Sequence, residues 1–297
     1  MLSVEYIPET FKTDGNLQIL EHYKINMILV DIILCGTGGT FWISDFKNEL
    51  VEHVTFADSL LHVNKKINVW TCDFPLPSSG ELVLSTLDDS LRLIQQKSEK
   101  VKQSNICMFP LVTTCLNISK DNKIIVGVRE NGSVDPEREH RKIIVLDTSG
   151  KQEIVYHLDC NSLHIFKMPL KLTTYKDNNI YVIDSLSEYR GRIVVLGREG
   201  GVVAIYDGHD GINDRDHPFT PRDLVTTELV NIIVLDEENH MVRILNNTGQ
   251  CVKYYSTKEI GIEWPHCLNI DSISYLIIGS NTAKEKCVTK LYMVQYS

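Results

Sequence analysis

The sequence has no apolar run of the roughly 18 residues that a membrane-crossing helix needs, so no such span is expected. Its eight cysteines, at positions 35, 72, 107, 115, 160, 251, 267 and 287, form no C-x-x-C pair. Structural zinc sites take ligands from closely spaced pairs, so these thiols read as small buried hydrophobes of a reducing compartment. There is no G-x-S-x-G, no H-E-x-x-H and no carboxylate pair whose spacing demands a shared site. Hydrolytic chemistry therefore lacks its usual carriers, and no catalytic residue, metal or cofactor is expected. The first 14 residues carry two Glu, one Asp and one Lys without an apolar segment, unlike a secretory signal. A cytoplasmic location is expected, and the sequons at Asn117, Asn131 and Asn246 read as chance. Basic charge is also short: 30 Lys and Arg against 39 Asp and Glu give a net charge of −9. That lowers the expectation of nucleic-acid binding and favours solubility.

What the sequence does contain is a recurring unit. An apolar or Pro start, a turn with Asn or Gly, a β-branched run and a polar stop follow one another. The pattern runs from Pro169 to Asn179-Ile180-Tyr181-Val182-Ile183-Asp184, and again from Pro221 to Asn231-Ile232-Ile233-Val234-Leu235-Asp236. Fainter copies end at residues 45, 86, 128 and 280, giving steps of 41, 42, 56, 52 and 44 residues along the sequence. Strand-rich units with a period of about 40–45 residues are the mark of propeller blades.

Each blade should hold up to four antiparallel strands. In the fourth, residues 170–174 alternate apolar and polar, residues 176–179 make an Asn/Asp turn, and residues 180–183 form an unbroken apolar run. Such a run implies burial on both faces, between neighbouring blades. Residues 185–191 read as a loop, residues 192–196 as the third strand and residues 202–206 as the fourth. Residues 49–66 and 90–102 look moderately helical, but the repeat register places strands there. Residues 36–40 (Gly-Thr-Gly-Gly-Thr) precede a strand, not a helix, and so read as a hairpin turn, not a phosphate loop. The chain ends on a third strand, and residues 3–7 are the candidate to complete that last sheet and close the ring. The expectation is an all-β, six-bladed propeller in one domain. Blades fall near residues 28–66, 67–106, 107–160, 161–210, 217–259 and 260–297, with 1–10 joining the last.

Residues 219–227 (Phe-Thr-Pro-Arg-Asp-Leu-Val-Thr-Thr), 231–236 and 240–249 carry a family resemblance, with residues 192–196 and 206–209 as further pieces. The chain resembles the C-terminal NHL-type propeller of tripartite-motif proteins, as in the expanded families of bivalve molluscs. The resemblance implies target capture for ubiquitination. Because no Cys/His zinc array or heptad run is present, ligase catalysis would reside in another subunit or domain.

Several groups are candidates for partner contact. The residues after the inner-strand prolines, Leu111, Leu170, Arg222 and His266, should ring one mouth of the channel. There Arg222 and His266 could donate to an acidic ligand. The long charged loop 129–142 offers Arg129 and Arg141, and the equivalent loops offer Tyr189, Arg190, Glu237 and His240. Residues 207–217 supply His209, Asp214 and His217. Their Asp, Asn and Gly spacing does not fit an EF-hand and reads as an interblade loop of turns. A protein partner is expected, with RNA as the alternative through Arg129, Arg138, Arg141, Lys142, Arg190 and Arg192. A metal-dependent propeller hydrolase would need inner-strand carboxylates converging on an ion. The inner strands read as mostly Thr and Leu with Asn117 and Asn269.

Overall fold

The computed structural model describes residues 16–57, 60–76, 80–95, 100–131, 141–174, 179–209, 211–227, 231–281 and 289–296. The first strand, β1 (Leu17–Lys24), precedes the first blade. That blade is β2 (Ile32–Cys35), β3 (Thr40–Asp45), β4 (Leu50–Ala57) and β5 (Leu60–Asn68). The second has β6 (Leu82–Leu84), β7 (Ser90–Ile94) and β8 (Val101–Cys107), and its inner position is held by a single bridge, Asp73 to Ser85. The third is β9 (Leu111–Ile118), β10 (Ile124–Glu130), β11 (Lys142–Leu146) and β12 (Gln152–Tyr156). The fourth is β13 (Pro169–Thr174), β14 (Ile180–Ser187), β15 (Arg190–Leu196) and β16 (Val202–Tyr206). The fifth is β17 (Pro221–Thr226), β18 (Ile232–Asp236), β19 (Met241–Leu245) and β20 (Cys251–Ser256). After a 3-10 turn, Lys258–Ile260, the sixth follows with β21 (Pro265–Ile270), β22 (Leu276–Ser280) and β23 (Lys290–Tyr296).

The sixth sheet has the order β1-β23-β22-β21, so the N-terminal strand closes the ring. The closing strand differs from the expected residues 3–7, which lie outside the described residues. The partner of β23 is β1, with Leu17 opposite Tyr296 and Lys24 opposite Lys290. Burial explains the choice. Leu17 packs between the fifth and sixth blades, while Ile25 and Met27, just past the strand, pack between the sixth and first. The Ile25 N–H donates to the Thr289 carbonyl at 2.9 Å and extends the pairing.

Strands occupy 50–57, 60–68, 90–94 and 101–107, where local composition leaned towards helix. The interval read as a loop at 185–191 is shorter than expected, because β14 runs to Ser187 and β15 starts at Arg190. At Gly36 to Thr40 the backbone closes a hairpin, with Gly38 and Gly39 both at positive φ.

The apolar runs do what their lack of alternation implied. On β14, Ile180 and Val182 join a cluster with the third blade, while Tyr181 and Ile183 join one with the fifth. Each of the six junctions between neighbouring blades holds such a cluster among the described residues. Burial between sheets thus replaces a central core.

In three units the polar stop also has a job. Asp45, Asp184 and Asp236 end second strands or lie near their ends, and all three are fully buried. Their carboxylates accept the backbone N–H of Ile28, of Lys167 and Met168, and of Thr220, where the backbone turns towards the inner strand. A short acidic side chain at this place satisfies donors that no ladder reaches.

Candidate binding face and channel mouth

Strand register fixes which end of the disc carries the candidate residues. Pro169 pairs with Asp184, Pro221 with Asp236 and Pro265 with Ser280. Each inner strand therefore starts where its second strand ends. The connections between blades and the hairpins between second and third strands emerge on that same side, the upper face. All eleven residues singled out for partner contact lie in those segments or at the strand ends that flank them.

They form separate groups. Arg129 and Arg222 line a cavity of about 370 Å³ at the channel mouth, together with Asp31, Leu170, Lys171 and Asp223. His266 stands against Arg222, its Nε2 2.9 Å from a guanidinium nitrogen, and its Nδ1 is 2.6 Å from Oε1 of Glu237. Tyr189, Arg190, His209 and Asp214 share a second cavity of about 550 Å³. His217 pairs with Asp214 at 3.2 Å, outside that cavity. Two candidates point elsewhere. Arg141 is buried at the start of the third blade's third strand. His240 meets the Trp264 ring edge-on, 5.3 Å between centroids.

In the loop 207–217, two side-chain oxygens among the described residues are engaged by the loop itself. Asn213 Oδ1 accepts from the His209 N–H, and Asp214 Oδ1 accepts from the N–H groups of Asp216 and His217.

Sequence reasoning missed the charged centre of the channel. Lys171, on β13, lies 2.7 Å from Asp73 Oδ1 and 3.9 Å from Asp223 Oδ1. The remaining carboxylate capacity is taken by backbone donors. Asp73 accepts from Phe74 and Leu116, and Asp223 from Leu224 and Leu268. Each of these acids thus ties its own inner strand to the next blade. Burial works against the Lys171 charge, but Asp73 and Asp223 outweigh it and raise its pKa. The same burial raises Asp223, with Lys171 pulling the other way. The expectation of inner strands poor in carboxylates is corrected here. A signal was present: Lys171, Asp223 and Cys267 each stand two residues after an inner-strand proline, and so occupy one tier.

The Cys72 thiol at the mouth is held in its protonated form. Burial pushes it up to about 11, and its Sγ rests 2.9 Å from Ser85 Oγ.

No protein-family model and no curated protein matches the chain. Solved structures do. A streptogramin B lyase superposes with TM-score 0.57 at 11% identity, covering 94% of this chain and 98% of that one. The WD40 β-propeller domain of Doa1 gives 0.62 at 12% identity over 95% and 97%. The PQQ-bound aldose sugar dehydrogenase of Streptomyces coelicolor gives 0.62 at 8% identity over 96% and 99%. A lyase, a dehydrogenase and a WD40 domain share one architecture, so the likeness speaks to fold alone. By sheet order and by these likenesses, the protein is an all-β, six-bladed propeller closed by its N-terminal strand.

Proposed function

We propose that this propeller is a protein-recognition module that receives its partner on the upper face. The distribution of exposed aromatics carries this reading. Phe109 is 77% exposed, Tyr189 56%, Phe46 42% and Trp264 38%, and all four stand in upper-face connections. On the opposite face, the exposed large apolar side chains among the described residues are aliphatic, with Leu60, Val203, Val252 and Ile273 in or beside its hairpins. Aromatic anchors around a centre containing arginine match the composition of interface hot spots.

The resemblance to tripartite-motif propellers extends the reading: the captured protein is passed to a RING-bearing subunit or domain for ubiquitination. RNA fits this face less well. Arg190 and Arg215 share their cavity with Asp207 and Asp214, which would interrupt a phosphate track. A metal-dependent hydrolase is disfavoured because the ammonium of Lys171 sits between the two channel carboxylates.

The test places a photo-crosslinking amino acid at Tyr189, at Phe109 or at Ile273 in the full-length protein. A discrete protein adduct from the first two and not from Ile273 is expected, with loss on Trp264→Ala. Adducts from Ile273 alone, or none from the upper face, would overturn the reading. Ubiquitin attached to the captured protein should fall in the same variants if the ligase extension holds.

A further inference from the structure

The charges at the channel mouth are unequally engaged. Asp31 accepts the Phe46 N–H at 2.6 Å through Oδ2, and Asp223 accepts two backbone N–H groups. Glu237 holds His266. Arg222 carries five N–H donors, and one of its nitrogens meets His266; its Nε is 3.9 Å from Glu237, too far for a hydrogen bond. Its side chain is 42% exposed and lines the mouth. Arg129 lines the same cavity and donates to the Glu130 carbonyl. The mouth therefore has donors to spare, while its acceptors are engaged except for Asp31 Oδ1, which meets a donor only when His266 Nε2 is protonated.

We propose that the channel mouth binds a carboxylate of the partner, an acidic side chain or the C-terminal carboxylate, through Arg222 and Arg129, with His266 as the latch on Arg222. This rests on the recognition reading, since the carboxylate arrives on a protein. The latch follows from hydrogen-bond roles. His266 Nδ1, 2.6 Å from Glu237 Oε1, keeps its proton and donates. In the neutral ring Nε2 is a bare acceptor and takes an Arg222 N–H. A second proton makes Nε2 a donor, which can serve Asp31 Oδ1 at 3.3 Å but cannot accept from Arg222. The guanidinium is then released towards the cavity, and a positive charge is added beside it. The charged groups around the ring are Asp31, Arg222 and Glu237, with Asp223 and Lys171 deeper along the channel. Burial opposes protonation of His266, yet its hydrogen bonds to Asp31 and Glu237 raise its pKa overall, against the charge of Arg222. Carboxylate affinity should therefore rise as pH falls towards about 5.5, where ordinary carboxylates remain ionised.

Fluorescence polarisation with labelled peptides tests this. The probes are GGWEEGG with an amidated end, amidated GGWQQGG, and GGWQQGG with a free carboxylate. At about pH 5.5 a carboxylate-bearing peptide should bind at least about tenfold tighter than the amidated Gln peptide. Which of the two is preferred names the source of the carboxylate. The preference should shrink several-fold by about pH 8. Arg222→Gln should abolish it, Arg129→Gln should weaken it, and His266→Gln should make it independent of pH, each variant being checked for a native melt. Equal binding of all three peptides, no binding at about 1 mM, or a preference that survives both Arg variants would overturn the site. Equal binding that is lost on Tyr189→Ala would overturn the carboxylate site and leave the recognition face standing.

Discussion

The Nζ atom of Lys171 lies 2.7 Å from Oδ1 of Asp73, a carboxylate 98 residues earlier in the sequence and two blades away across the channel. With Asp223 on the neighbouring blade it forms a buried triad, and both acids also brace the next blade through backbone N–H groups.

Replacing Lys171 by Met should therefore destabilise the ring strongly, by about 3–5 kcal/mol, since it leaves two buried carboxylates without a cation. Urea denaturation measures the loss. Adding Asp73→Asn and Asp223→Asn to Lys171→Met should restore part of it. A wild-type midpoint for Lys171→Met alone would show that the triad does not brace the channel.

Arg243 is among the largest fully buried side chains of the described residues and is held on three sides. Its Nε donates to Asp236 at 3.1 Å, a second nitrogen donates to Tyr206 Oη at 3.0 Å, and the guanidinium stands 5.0 Å above the Phe219 ring. Lysine cannot reproduce a fork that serves two acceptors and stacks. Arg243→Lys should cost about 3 kcal/mol or more in thermal or urea melts. The equivalent Arg192, 23% exposed beside buried Asp184, should tolerate Lys with a smaller loss.

The His266 pKa is raised in the folded protein, so its contribution to stability has a definite sign. It is fully present below the unfolded value of about 6.5 and is lost as pH rises through the higher folded value. Wild-type stability relative to His266→Gln should therefore fall between about pH 6 and pH 8. A difference that stays flat across that window would contradict the raised value.

Gly127 and Gly279 are required by close approach. A Cβ at either would run into the Sγ of Cys115 or Cys267, the inner-strand residue directly opposite. Gly279→Ala should cost about 1–3 kcal/mol through overpacking. Combining it with Cys267→Ala should return much of the loss, measured as a double-mutant cycle. Strict additivity would mean that the two residues do not share the space.

Much of the blade order was legible because it is written in short-range chemistry. The unbroken runs at 180–183 and 232–235 required burial on both sides, and they received it. Asp147 and Asn246 sit in equivalent turns, each side chain accepting backbone N–H groups two and four residues on. At 90–94 and from 101 onwards, repeat register outweighed helix propensity. The channel mouth was half legible. Proline spacing brought Arg222 and His266 together on paper, as they are in space. Lys171 passed as a polar member of an alternating strand and Asp223 as part of the family resemblance, because nothing local marks a partner two blades away. Residues 188–189 alone separate β14 from β15, since Gly191 joins the strand and donates to the Phe219 carbonyl.

Local patterning was enough to specify six radial sheets. Alternation, turn residues and period act within some 40 residues, and strands need no more than that. Only the closed ring decided which strand seals it, and that Lys171 neutralises Asp73 and Asp223. It alone set the two nitrogens of His266 between acids and an arginine. Those relations depend on curvature summed over several blades, which brings distant positions within hydrogen-bond reach and which no single repeat encodes.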